Sequence, residues 1–220
     1  MLTLFHKKKL SDYNPNLSRQ ELIRQSRILM IDDEQPALIE DLRKDGFSVD
    51  YDPTGNETTK IEKNLFDLII LDFGGVGKNF GKDQGLSLLK HIKRVNPAPF
   101  VLAYTSKSLP AEQSEFYRLT NGTLFKDAGI QESFSKIEDS LRQAHNVERI
   151  WAAVLQLTLK NPEDKKELEA TLLKCLKKKK FDTLYELLTH HVGAAIKDSL
   201  VGILIKKLVA LASTGGTVVP

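Results

Sequence analysis

Three short, largely apolar runs, each ending on a carboxylate or a hydroxyl, constrain this chain more than any other feature. They are RILMI at Arg27–Ile31, followed by Asp32-Asp33-Glu34, then FDLIIL at Phe66–Leu71, followed by Asp72, and FVLAY at Phe100–Tyr104, followed by Thr105-Ser106. Apolar runs of this length without alternation read as strands buried on both faces. Phe47–Tyr51 reads as a weaker strand and Thr123–Phe125 as a short fifth one. Between them lie helical stretches at Gln35–Lys44 (stopped by Gly46), Thr58–Asn64, Leu86–Arg94, Leu109–Leu119 and Glu132–Gln143. Strands separated by helices imply right-handed crossovers and one parallel sheet with helices on both sides.

After His145 the strand signal stops. Helices are expected over Arg149–Leu159, after the Asn161-Pro162-Glu163-Asp164 start signal, over Phe181–His191 and over the very apolar Ala194–Ala212. The chain therefore divides near residue 146. With 220 residues, two domains are the first expectation. Charge follows the same division. Residues 1–26 hold five basic and two acidic groups, 27–146 hold 15 and 19, and 147–220 hold 12 and eight. Basic ends flank an acidic middle. Such ends suit nucleic acid, an anionic membrane surface or an acidic partner, and they also suit a solvated lysine-rich helix surface.

The single cysteine, Cys175, excludes an intramolecular disulfide scaffold. No apolar run reaches the roughly 18–20 residues of a bilayer span. MLTLFHKKKL places its charges after the apolar residues, the reverse of a secretory signal, so a cytoplasmic protein is expected.

In an open parallel sheet, ligands bind beyond the carboxyl ends of the strands. Asp32 and Asp33 follow the first strand, Asp72 the third, Thr105 the fourth and Lys126 the fifth. One aspartate at a strand end is explained by a turn or a helix cap. The whole series at successive strand ends is not. Three converging carboxylates need a counter-charge, which a hard cation such as Mg²⁺ supplies while keeping several waters. A carboxylate beside it can attack a phosphoryl group, with the metal, a lysine and a hydroxyl sharing the charge on the phosphoryl oxygens.

From Arg27 to His145 the chain resembles the receiver domain of two-component response regulators. The matching pieces are RILMIDDE, FDLIILD, Gly85-Leu86-Ser87-Leu88-Leu89-Lys90-His91-Ile92-Lys93, FVLAYTS and GTLFKD. The resemblance implies an α/β fold, with a five-stranded parallel doubly wound (flavodoxin-like) sheet, followed here by a small all-α domain. It implies Asp72 as phosphoacceptor, Thr105 as switch hydroxyl and Lys126 as the lysine that pairs with the phosphoryl group. It implies Mg²⁺ on Asp33 directly, on Asp32 through water, on Asp72 and on the backbone carbonyl of Gly74. It further implies a histidine kinase or phosphotransfer protein as phosphodonor, with slow transfer from small phosphodonors. The only chemistry then expected is self-phosphorylation and self-dephosphorylation, not turnover of a separate substrate.

The sequence departs from that pattern at three places. Val76 stands where receivers usually carry proline. The loop between Asp72 and Gly85 is long and rich in glycine. Thr123 occupies the fifth-strand position where an aromatic is common, and Phe125 is expected to point into the core. A non-phosphorylated scaffold is the rival that these departures keep open. Gly74-Gly75-Val76-Gly77-Lys78 also resembles part of a phosphate-binding loop, but Asp72 replaces its first glycine and Asn79 its metal-binding hydroxyl.

Residues 147–220 resemble no output family. A DNA-binding helix-turn-helix would need its turn near Gly193, and the helix that follows is apolar and has no arginine. A protein-binding or homodimerising helical module is the leading expectation, and DNA binding is the alternative. A membrane-surface role for Met1–Leu10 or Ser199–Ala212 competes with ordinary core packing. His190-His191 lacks metal-ligand spacing, and Cys175 and Trp151 read as packed side chains.

Overall fold

The computed structural model describes residues 8–106, 113–192 and 199–215. Two units emerge: Leu17–Ala144, and a second one joining residues 1–16 to residues 145–220. The 1–26 stretch that charge sets apart is thus shared between them. Leu17 to Ser26 belongs to the first unit.

That unit holds five parallel strands: β1 (Arg27–Ile31), β2 (Ser48–Asp52), β3 (Leu68–Asp72), β4 (Phe100–Thr105) and β5 (Gly122–Phe125), in the order β2-β1-β3-β4-β5. This is the flavodoxin-like order, with its switch point between β1 and β3. Ile31 registers with Leu71, and Asp72 with Tyr104. Asp32 and Asp72 therefore finish neighbouring strands at one edge of the sheet. The helices are α1 (Arg19–Gln25), α2 (Leu38–Lys44), α3 (Thr59–Glu62), α4 (Gly85–Val95), α5 (Ser114–Leu119) and α6 (Ile130–Ala144).

Strand alternation feeds two cores. Ile28, Met30, Leu68, Ile70 and Leu102 pack on one side of the sheet, with Ile39, Leu42, Ile137 and Leu141. Leu29, Ile31, Ile69, Leu71, Val101 and Ala103 pack on the other, with Leu88, Leu89, Ile92 and Phe116. Val76 is fully buried in this second cluster, so its unexpected side chain fastens the long loop to the core. At β5 the expected side is reversed. Leu124 is the buried residue, and Phe125 is half-buried outside both clusters, because neighbours in a strand face opposite ways.

Helix α1 is an addition that the strand pattern does not signal. Ser18 caps it reciprocally with Glu21: the Glu21 N–H donates to the Ser18 hydroxyl at 3.3 Å, and the Ser18 N–H to the Glu21 carboxylate at 2.9 Å. Arg19 pairs with Asp45 and, at 2.7 Å, with Glu138, tying α1 to α6. The helix expected from Leu109 is described from Ser114, its earlier residues lying outside the described ones.

The second unit holds a 3-10 turn at Leu10–Tyr13 and the helices α7 (Val147–Thr158), α8 (Lys165–Lys178), α9 (Asp182–Val192) and α10 (Leu200–Gly215). Helix α7 packs on α10 and on the 3-10 turn, and α8 packs on α9. Asn146 caps α7 by accepting the Arg149 N–H at 2.9 Å, and Asn14 accepts the Val147 N–H at 2.8 Å. Asn161 precedes a 3-10 turn at Pro162–Asp164 and makes no side-chain cap, because α8 proper starts only at Lys165. Trp151, Leu204, Ile205 and Leu208 are buried, so the apolar face of α10 is covered within the unit. The turn near Gly193 lies outside the described residues, and so does Met1–Lys7. Among the described residues, no helix is long and apolar enough to cross a membrane.

Candidate functional site

The sheet register delivers Asp32, Asp33, Asp72, Thr105 and Lys126 to the carboxyl ends of β1, β3, β4 and β5. One carboxylate oxygen each from Asp32, Asp33 and Asp72 lies within 4.8 Å of the others. Asp32 is 1% exposed, Asp72 is partly buried and Asp33 is exposed. The Lys126 ammonium reaches into the group, 2.8 Å from Asp32 Oδ2 and 3.3 Å from Asp72 Oδ2. Its backbone is placed by its N–H, which donates to the Thr105 carbonyl at 2.7 Å. The ammonium also lies 5.2 Å from the centre of the Tyr104 ring.

The hydrogen bonds around Asp32 fix its orientation. Its Oδ1 accepts the Glu34 N–H at 2.9 Å, and its backbone carbonyl accepts the Tyr51 hydroxyl at 2.8 Å. Its buried Oδ2 makes no hydrogen bond of good geometry and lies 2.8 Å from the Lys126 ammonium, beside the other two carboxylates. Burial pushes the Asp72 carboxyl up from the usual carboxylate range, with Lys126 opposing and Asp32 adding to the shift. Burial pulls Lys126 down, but Asp32 and Asp72 outweigh it and hold the ammonium above its ordinary value.

Three carboxylates against one ammonium leave a local excess of negative charge in a partly dry site. That imbalance and an all-oxygen donor set fit a hard divalent cation. A cleft of about 420 Å³ opens beside Asp32 and Lys126, lined also by Glu34, Leu38 and Tyr104.

The long loop is built around the acidic group. Gly75 adopts φ +71°, a backbone that favours glycine, and a Cβ there would fall 1.8 Å from Asp33 Oδ2 and displace that carboxylate. The Gly74 carbonyl accepts the Val76 N–H at 2.8 Å, and the Gly77 N–H donates to the Thr54 carbonyl at 2.7 Å. A 3-10 turn at Lys78–Phe80 follows, and the Phe80 ring lies 4.6 Å from that of His91 on α4. Seven residues separate Gly77 from the next α-helix at Gly85, so the partial phosphate-loop motif does not lead into a helix as that motif requires.

Thr105 is buried, and its hydroxyl lies 3.1 Å from that of Tyr117 on α5. Tyr117 in turn donates to Gln113 Oε1 at 2.7 Å. Thr123 stands in β5, as the sequence placed it. Sequence reasoning did not find Tyr117, Gln84 or Tyr51. All three act through tertiary placement, and none carries a local motif. Among the described residues, the carboxylates, histidines and cysteine form one cluster of three able to hold a metal, this one. His191 pairs with Asp164 at 3.6 Å.

No protein-family model matches the chain, and no curated protein does. Solved structures do. One is a CheY-like response regulator receiver domain protein from Methanospirillum hungatei JF-1, with 21% identity, 54% of this chain and 95% of that chain covered, and a TM-score of 0.44. A two-component response regulator from Clostridium difficile gives 23% identity, 54% and 98% coverage and a TM-score of 0.46. The signal receiver domain of a Luxo repressor protein from Vibrio parahaemolyticus gives 16%, 54%, 92% and 0.44. Over about half of its length, the chain is thus similar to CheY-like receiver domains of response regulators.

Proposed function

We propose that this protein is a phosphorylation-controlled response regulator of a phosphorelay, working in the cytoplasm. The observation that carries the reading is the Lys126 ammonium held between Asp32 and Asp72, with Asp33 completing the acidic group. An Asp72 carboxylate oxygen attacks the phosphorus of a phosphohistidine or of a small acyl phosphate. The bond from phosphorus to the donor nitrogen or oxygen breaks, the donor leaves with its electron pair, and Asp72 becomes a mixed anhydride. Asp33, Asp72 and the Gly74 carbonyl would hold Mg²⁺ directly, with Asp32 acting through water. When bound, the ion supplies positive charge to the phosphoryl oxygens. Lys126 pairs with a phosphoryl oxygen, and the Thr105 hydroxyl donates to another after leaving Tyr117.

Phosphorylation adds about −1.5 to −2 charge at one end of the sheet, which biases any element able to adopt two arrangements. The helices from Val147 onward are the output, acting by protein contact or by pairing with a second copy. Incubation with Mg²⁺ and acetyl phosphate, followed by intact mass measurement, tests the reading. A phosphoryl adduct on the wild type and none on Asp72→Asn supports it. Absence of any adduct from acetyl phosphate and from a panel of phosphorylated histidine kinases would leave the scaffold reading in its place.

A further inference from the structure

Gln84 stands immediately before α4 with φ +48° and ψ −117°. That combination belongs to glycine, as at the first central position of a type II′ turn, and a side chain there is strained. Strained residues persist where surrounding structure holds them, and they cluster at functional sites. Here the surroundings are tight on both sides. A Cβ on Gly85 would lie 2.4 Å from the Asp72 carbonyl oxygen, and one on Gly77 would lie 2.9 Å from that of Gln84. Glycine at position 84 would remove the strain. The chain keeps glutamine instead, and its side-chain Oε1 accepts the Gly75 N–H at 2.8 Å.

That N–H belongs to the same peptide unit as the Gly74 carbonyl. A trans peptide is planar, so fixing the direction of the N–H fixes the carbonyl in the opposite direction. Besides this bond, the unit is held through its carbonyl by the Val76 N–H at 2.8 Å. Gly74 and Gly75 carry no side chains, and Val76 N–H to Gly74 O closes a turn of only three residues, a strained arrangement. This turn uses one carbonyl lone pair and leaves the second. Gly75 also borders the Asp33 carboxylate, so the same hydrogen bond keeps the backbone against that side chain.

We propose that Gln84 is a positioning residue of the cation site: its carboxamide orients the Gly74–Gly75 peptide, aims the Gly74 carbonyl and confines the Asp33 carboxylate. This rests on the cation-binding reading of the acidic group. The strain at Gln84 is retained because glycine would release the loop from the site.

The test compares wild type with Gln84→Ala, Gln84→Gly and Gln84→Glu by three measurements. These are Mg²⁺ affinity by calorimetry, Tm in EDTA, and exchange protection of the Gly75 amide without metal. Gln84→Ala and Gln84→Gly should weaken Mg²⁺ binding about tenfold, as loss of an outer-shell partner does. Both should lose Gly75 protection. Gln84→Gly should nevertheless have a Tm in EDTA at or above that of Gln84→Ala, because it relieves the backbone. Gln84→Glu, which keeps an oxygen for the Gly75 N–H, should bind Mg²⁺ within about twofold of wild type or more tightly. Wild type that binds Mg²⁺ while Gln84→Ala and Gln84→Gly bind it equally well would overturn the positioning role alone. Wild type that takes up no Mg²⁺ would overturn the cation reading and the positioning role with it.

Discussion

The Thr105 and Tyr117 hydroxyls are 3.1 Å apart, and Tyr117 donates its own hydrogen bond to Gln113 Oε1. The Thr105 hydroxyl therefore donates toward α5, away from a phosphoryl group. Turning it requires breaking this bond. Tyr117→Phe removes the competing acceptor, and a net hydrogen bond of about 1 kcal/mol corresponds to roughly fivefold. The phosphorylated fraction at limiting acetyl phosphate should rise by up to about that factor. Intact mass measurement reads it, and an unchanged or smaller fraction would contradict the competition.

Asp72 carries a stability cost that its removal should reveal. Burial raises its carboxyl above the usual range. The folded state thus binds this proton more tightly than the unfolded state does. The favourable contribution is fully present below the unfolded carboxyl value of about 4 and is lost as pH rises through the raised folded value. At neutral pH without divalent cations, Asp72→Asn should raise Tm by about 2–4 °C. Its advantage over wild type should shrink as pH falls toward 4. A lower Tm for the variant at pH 7 would contradict the assignment of this strain to the carboxylate.

Lys126 is the protein's own counter-charge. Lys126→Met leaves the nearly inaccessible Asp32 Oδ2 without a positive neighbour. The loss should be about 2 kcal/mol in EDTA, less than for a wholly buried pair because Lys126 is 34% exposed. Millimolar Mg²⁺ should recover part of it. Urea denaturation with and without the ion measures both effects, and an equal loss in the two conditions would show that the ion does not share the site with Lys126.

In the helical unit, Asn14 accepts the N–H of Val147, the first residue of α7. Asn14→Ala leaves that donor without its partner and should cost about 1 kcal/mol. Trp151, the sole tryptophan and 3% exposed on α7, reports the unfolding by fluorescence. A shift below about 0.3 kcal/mol would mean that water replaces Asn14 without loss.

The strands were legible because a parallel sheet covered on both faces needs short continuous apolar runs, and the functional side chains follow those runs directly. Asp32, Asp72 and Lys126 needed only the strand ends and the sheet order to be brought together. Helix α1 was not legible, because seven residues with a capping box resemble many surface segments until Arg19 meets Asp45 and Glu138. Tyr117 was hidden for a different reason. The fifth strand offered Thr123 at the position where an aromatic is common, and the partner of Thr105 comes instead from a helix 12 residues later in the chain. Gln84 was invisible because its significance lies in a backbone conformation that no residue pattern encodes. Asn161 looked like the cap of an α-helix, but it precedes a 3-10 turn instead and its side chain makes no capping hydrogen bond.

Response-regulator function requires covalent chemistry at one residue, Asp72. Protein treated with Mg²⁺ and acetyl phosphate is reduced with borohydride, which converts an aspartyl phosphate to homoserine, and is then mapped by peptide mass spectrometry. Homoserine is expected at position 72, and is expected to be absent when Mg²⁺ is replaced by EDTA. Reduction at another carboxylate, or none at Asp72 in folded, Mg²⁺-loaded protein, would contradict that function.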